Sequence, residues 1–238
     1  MSLVAKTLAG IRWTTLAMVT NVSFNLGYTA VIARLLVPSA FGLIAMAQIA
    51  IRFLSYFAQL GVSPAVVQKA ELTERDIRAA LTLSVAVNAL LFALMWLLAP
   101  LAGHFFGNPQ VVPILRGLSA AFLFSGFSVI SVSLLRRHLL FKQLAIVEIA
   151  SYILGYGFIG LGSAFYGLGV WSLVFAVVGQ EAMTLAFSYA FVRHSLRPLF
   201  DWHDIRHFLH YGGKYSVIGF LEYISANVDS LLIGRWYG

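Results

Sequence analysis

The sequence predicts an all-α polytopic membrane protein of about seven transmembrane helices, arranged as one six-helix bundle plus the first helix of a second. Three observations carry that expectation. Sixty per cent of the 238 residues are hydrophobic and only 11% are charged, where a water-soluble domain carries about 25%. Much of the surface must therefore face lipid rather than water. Seven apolar segments each approach the roughly 20 residues needed to cross a hydrocarbon core. The lysines and arginines concentrate in every second loop, and so on one side of the membrane, as the positive-inside rule describes.

The spans fall at approximately 13–33, 41–62, 80–101, 114–135, 143–165, 170–192 and 214–234. The first follows Lys6 and Arg12, is long enough to span, and lacks a small-residue cleavage site, so it reads as a retained helix rather than a signal peptide. Proline, glycine or charge interrupts the chain before each later span. The interruptions are "LLVPSAFG", "SPAVVQKAELTERD", "GHFFGNPQVVP", "RRHLLFKQ", "YGLG" and "RHSLRPLFDWHDIRHFLHYGG". Residues 1–200 form the expected bundle, and 201–238 form an interfacial linker and the start of an incomplete second one.

With a cytoplasmic N-terminus, twelve of the sixteen positive residues lie inside: Lys6, Arg12, Lys69, Arg75, Arg78, Arg136, Arg137, Lys142, Arg193, Arg197, Arg206 and Lys214. Arg34, Arg116 and Arg235 lie outside, and Arg52 lies within the second span. Trp13, Trp96, Trp171, Trp202 and Trp236 all stand near span ends, where an indole prefers to sit. The net charge of +7 is thus a property of the cytoplasmic rim and calls for no nucleic acid. Cysteine is absent, which excludes disulfides and thiolate metal sites. The outer loops are short, the longest at about residues 102–113, which disfavours an enzyme that must hold a polymer outside the membrane.

The two ends of the chain resemble each other at an offset of 202. Arg12 meets Lys214, Trp13 meets Tyr215, Thr14 meets Ser216, Ser23 meets Ser225 and Asn25 meets Asn227. Six spans separate them, an even number, so the repeat keeps its orientation in the membrane. That is the parallel-repeat plan of many transporters, with a site between the halves.

Several stretches then carry a family resemblance: "ARLLVPSAFGLIAMA" (33–47), "QLGVSPAVVQKAELTERD" (59–76), "LLRRHLLFKQLAIVEIAS" (134–151), "YGLGVWSLV" (166–174) and "NVDSLLIGRWYG" (227–238). Together they resemble the polysaccharide transporter family, the Wzx-type group of the multidrug/oligosaccharidyl-lipid/polysaccharide flippase superfamily. WzxC-like lipopolysaccharide biosynthesis members are the most similar. The resemblance implies a multi-pass protein of the bacterial inner membrane, working by alternating access between two six-helix bundles. Its implied partner is an undecaprenyl-diphosphate-linked saccharide, with membrane lipids around it and room for other polysaccharide-assembly proteins. It implies no cofactor and no enzymatic step. The competing readings are a small-molecule or multidrug exporter of the same superfamily, and a membrane-embedded glycan polymerase or ligase.

Charge inside a span is costly and marks a cavity or a partner. Arg52 stands in the middle of the second span and could grip a diphosphate with its planar fork, or pair with Glu181 or Glu222. Glu181, Glu222 and Asp229 are the candidates for ion coupling, with structural pairing as the alternative. Asn25, Gln59 and Asn227 could bind sugar hydroxyls or hydrogen-bond between helices. Glu148 and Arg116 are expected to reach toward the interface.

The "GYGFIG" of 155–160 matches a dinucleotide fingerprint in letters only. It lacks the preceding strand and following helix, and small residues permitting close helix approach are the better account. His203, His207 and His210 share helical spacing beside Asp204, but three imidazoles on a wet amphipathic helix that begins at Asp201 need no metal.

Overall fold

The structure is a computed structural model and describes residues 3–58 and 62–201. The chain is an all-α multi-pass membrane protein. Its helices are α1 (Leu3–Leu35), α2 (Pro38–Ala58), α3 (Val62–Gln68), α4 (Glu74–Phe105), α5 (Val111–Arg137), α6 (Phe141–Tyr152), α7 (Leu161–Phe165) and α8 (Trp171–Phe191). A π-helical segment, Ile153–Gly160, joins α6 to α7 in one continuous rod. Among the described residues, five helical stretches are long and apolar enough to cross a membrane: Gly10–Leu35, Glu74–Phe105, Val111–Arg137, Phe141–Phe165 and Trp171–Phe191. α2 supplies a shorter apolar stretch, Pro38–Ile51. The expected span at 214–234 lies outside the described residues.

One correction concerns the second span and the break after it. Its helix starts at Pro38 and runs to Ala58, and residues expected to form a loop instead make α3. Pro64 is tolerated there because it sits in the first turn, where a backbone N–H has no helical partner to lose. Val62, Ala65 and Val66 are buried against α4 and α5 and repay the ordering of the segment.

α5 is the central helix. It packs against α2, α3, α4, α6 and α8, and 56% of its apolar window is buried. α1 is peripheral, with 17% of its window buried, and presents Ile11, Leu16, Met18, Val19, Val22 and Leu26 outward. Such a face suits acyl chains and would be untenable in water.

Helix ends follow from local chemistry. Pro38 opens α2 with its φ already set for a helix. Thr73 caps α4 in a full capping box: its hydroxyl accepts from the Asp76 N–H, and the Asp76 carboxylate accepts from the Thr73 N–H. After α4, Asn108 N–H bonds to Gly103 O and Gly107 N–H to His104 O, with Gly107 at φ +62°. This double bond pattern ends a helix in the left-handed region that glycine enters freely. The same pattern closes α5, but there the left-handed residue is Leu139, at φ +56°.

One end of the bundle gathers the start of α4 and α6 and the close of α5 and α8. Gly10 of α1 lies there against Phe141. Lys69, Arg75, Arg78, Arg136, Arg137, Lys142, Arg193 and Arg197 all fall at this end, so the segregation of positive charge expected from the sequence is present in the fold. Residues 192–201 cross it as an irregular strap. Arg78 donates from Nε to Arg197 O (3.0 Å) and from a terminal nitrogen to Pro198 O (3.3 Å). Leu199 N–H donates to Thr82 Oγ1 (2.8 Å), and Arg75 pairs with Asp201 (2.9 Å).

Candidate functional site

The polar interior of the membrane region lies where α1, the α6–π rod and α8 meet. On α1, Asn21, Phe24, Asn25 and Tyr28 recur at three- and four-residue intervals and therefore share one stripe. On the rod, Tyr152 and Tyr156 are four residues apart, with Ser151 beside Tyr152. Asn25 donates its side-chain amide to the Tyr152 hydroxyl. Four rings form a ladder between the helices. Phe24 meets Tyr152 edge-on at 5.8 Å, Tyr152 stacks on Tyr156 at 4.6 Å, and Tyr28 meets Tyr156 edge-on at 5.0 Å. Such offset and edge geometries follow the quadrupole of the rings.

Glu181 projects from α8, half-buried, and is an electrostatic neighbour of Tyr156. It has no ion-pair partner among the described residues. Of five buried polar atoms without a protein partner among the described residues, three lie here, Asn21 Oδ1, the Tyr28 hydroxyl and Ser151 Oγ, and two lie elsewhere, Asn88 Oδ1 on α4 and Arg116 Nε on α5. Buried polar atoms are nearly always satisfied, so this concentration marks a place built to meet water or a ligand.

Close helix approach makes the cluster possible. A Cβ on Gly155 would stand 2.6 Å from the backbone of Gln180 on α8, and one on Gly160 would stand 2.8 Å from Ala176 Cβ. The "GYGFIG" glycines thus serve helix packing, as expected. The π segment turns wide here, and its backbone is braced by Ser163, whose hydroxyl donates to Ile159 O (2.6 Å) and Gly160 O (2.9 Å). π segments recur at functional sites because they re-aim side chains within a helix.

Of the residues singled out from the sequence, Asn25 and Glu181 come to this junction. Arg52 belongs to α2, with its side chain outside the described residues. Gln59, Glu222, Asn227 and Asp229 lie outside them altogether, as do His203, His207 and His210. Arg116 does not simply reach for the interface: its guanidinium lies 4.8 Å from the centre of the Trp96 ring, with its Nε buried. Glu148 is exposed on the α6 surface. Sequence reading missed Tyr28, Tyr152, Tyr156 and Ser151. Their signal was the pairing of Phe24 with Tyr28 and of Tyr152 with Tyr156 at four-residue spacing. Aromatic residues at that spacing ordinarily indicate core packing.

Residues 31–238 match the family described as polysaccharide biosynthesis protein. The chain belongs to that family. Among its relatives, the lipopolysaccharide biosynthesis protein WzxC of Escherichia coli (strain K12) is 24% identical over 240 residues, covering 100% of this chain and 49% of WzxC. The teichuronic acid biosynthesis protein TuaB of Bacillus subtilis (strain 168) is 24% identical over 188 residues, covering 78% of this chain and 39% of TuaB. The succinoglycan biosynthesis transport protein ExoT of Rhizobium meliloti (strain 1021) is 24% identical over 198 residues, covering 83% of this chain and 40% of ExoT. This member of the polysaccharide biosynthesis family thus spans about half the length of the curated relatives it matches, or less. No solved structure matches it.

Proposed function

We propose that this chain provides the first six-helix unit of a flippase. Its cargo is a lipid-linked oligosaccharide or polysaccharide precursor, moved across the bacterial inner membrane by alternating access. Residues 1–200 form that unit, with the N-terminus cytoplasmic, and 201–238 lead into a second. The observation that supports this most is the polar and aromatic junction of α1, the α6–π rod and α8, inside the membrane of a polysaccharide biosynthesis family member. Phenol, amide and hydroxyl groups offer both donors and acceptors to sugar hydroxyls. Tyrosine rings offer flat apolar faces to the C–H side of a pyranose.

In this reading Asn25, Tyr152 and Tyr156 meet the saccharide, and Gln59 and Asn227 extend that contact. Arg52 grips the diphosphate of an undecaprenyl carrier. Glu181 takes up the coupling ion, with Glu222 and Asp229 as the corresponding candidates beyond the bundle. Moving an intact precursor across the bilayer makes and breaks no covalent bond, so in this reading the work is transport, with no cofactor.

The test is a bacterial strain whose own Wzx-type gene is deleted. Expressed together with the second six-helix unit, the chain should restore surface polysaccharide. Glu181→Gln and Tyr152→Ala should each reduce that polymer at least tenfold at equal membrane level, with precursor accumulating on the cytoplasmic leaflet. Wild-type polymer in both variants would remove the junction from the transport path. Dye efflux without any restored polymer would favour the exporter reading.

A further inference from the structure

A cavity of about 530 Å³ opens at the basic end of the bundle, away from the polar junction. Three elements line it. The start of α4 and the turn before it give Leu72, Glu74 and Ile77, and the end of α5 gives Leu134, Arg137 and His138. The strap gives Val192, Arg193, His194 and Ser195. Its walls differ in character. Leu72, Ile77, Leu134 and Val192 are apolar, while Arg137, His138, Arg193 and His194 supply cationic or donor groups against the single carboxylate of Glu74.

The cavity sits at the level where one helix enters the membrane and two leave it, since α4 starts, and α5 and α8 end, within its lining. A site at that depth meets acyl chains on one side and water on the other. Its cationic side is rigidly built. The Arg137 guanidinium donates to Val66 O (3.0 Å), Val67 O (3.1 Å), Lys69 O (2.6 Å) and Ala70 O (3.1 Å), which ties the end of α3 to α5 and fixes a positive charge in the wall. His194 is held by Ser131 Oγ at 3.1 Å. Arg193 and His138, in contrast, are exposed and make no side-chain hydrogen bond or ion pair among the described residues. The pocket thus combines a preorganised positive wall with two uncommitted side chains that can close on an anion.

We propose that this pocket binds the phosphate of an anionic phospholipid headgroup, with the glycerol and the first acyl methylenes against Leu72, Ile77, Leu134 and Val192. Basic pockets between spans on the cytoplasmic side favour anionic headgroups for this electrostatic reason. The bound lipid seals the seam between the strap and the α4–α5 pair. The site is separate from the cargo path and stands whether or not the flippase reading does.

Native mass spectrometry of the purified chain, exchanged from detergent with phosphatidylglycerol or phosphatidylcholine, tests it. The wild type should retain phosphatidylglycerol at least tenfold better than phosphatidylcholine. The double variant Arg193→Gln/His138→Gln should lose that preference, and Glu74→Gln should strengthen it. Arg34→Gln at the other end of the bundle removes the same charge and should change nothing. Both altered residues of the double variant are exposed, and an unchanged elution volume will confirm that it folds. Equal retention of the two lipids, or equal loss in Arg34→Gln, overturns the proposal. Binding of inorganic phosphate at millimolar concentration without retention of phosphatidylglycerol overturns the lipid as its source.

Discussion

The α4–α5 pair and the α6–α8 pair both cross a membrane, yet they are assembled on different rules. α4 and α5 meet through aliphatic side chains: Leu91, Met95, Ile114, Leu115 and Leu118 are buried together. All five buried serines of these helices have hydrogen-bond partners, as Ser84 does with Gly126 O at 2.9 Å. The contact of the π segment with α8 is made through Gly155 and Gly160 and leaves polar atoms nearby unsatisfied. The first pair leaves two buried polar atoms without a protein partner, Asn88 Oδ1 and Arg116 Nε, and the Arg116 guanidinium lies over the Trp96 ring. The second has spare hydrogen-bonding capacity in a medium that penalises it.

The hardest break in the comparison is at Gly155. A Val in its place drives a branched side chain into the Gln180 backbone, and backbone cannot swing aside as a side chain can. Gly155→Val is expected to cost more than about 3 kcal/mol, beyond ordinary overpacking, read as lost resistance to unfolding in mixed micelles. Gly162 is the control. A methyl there meets nothing within 4 Å, so Gly162→Ala should be neutral or stabilise by about 0.5–1 kcal/mol through helix propensity. Equal outcomes would mean that close approach does not define the contact of the π segment with α8.

A smaller effect tests the α4–α5 side. Asp76→Ala removes half of the α4 capping box and the 2.6 Å ion pair with Lys69. A cap of this kind is worth about 1–2 kcal/mol, and hydrogen exchange should rise in the first turn of α4 and leave α8 unaffected. Leu139→Gly has the opposite sign. Relief of a left-handed leucine at φ +56° should add about 1 kcal/mol of stability.

The smallest expected effect is pH dependence of the strap. Burial disfavours the imidazolium of His194, which lowers its pKa from the ordinary 6.5, partly offset by the Ser195 carbonyl. Between the lowered value and 6.5 the unfolded or detached strap binds more protons than the docked one. Docking is therefore complete above about pH 6.5 and weakens as pH falls through that window. Protease cleavage at Arg197 should accelerate on acidification in the wild type and lose that dependence in His194→Gln. A pH-independent rate in the wild type would contradict this.

Sidedness can be checked separately. Phe106 follows α4 and His138 follows α5, with the whole of α5 between them. Single cysteines at these two positions should label from opposite sides of a membrane. Same-side labelling would refute the arrangement.

Composition and charge along the chain were enough for the class, for the approximate positions of the spans among the described residues and for the gathering of positive charge at one end. Each depends on composition and periodicity along the chain, because lipid accepts only segments whose backbone is satisfied within themselves. The sequence also picked out Asn25 and Glu181, because a carboxylate or amide inside an apolar run is costly and visible. Only the tertiary structure decided which polar groups meet. Nothing in the spacing of Tyr28 or Tyr152 distinguishes a ring buried for packing from one that completes a polar junction. The glycines of 155–160 could have faced any neighbour. The basic residues of the loops read as a uniform rim, yet Arg137 holds α3, Arg78 holds the strap, and Arg193 and His138 remain free to act. These differences arise from contacts between segments distant in the chain, 71 residues apart for Arg137 and Val66 and 119 for Arg78 and Arg197, where local patterns carry no information.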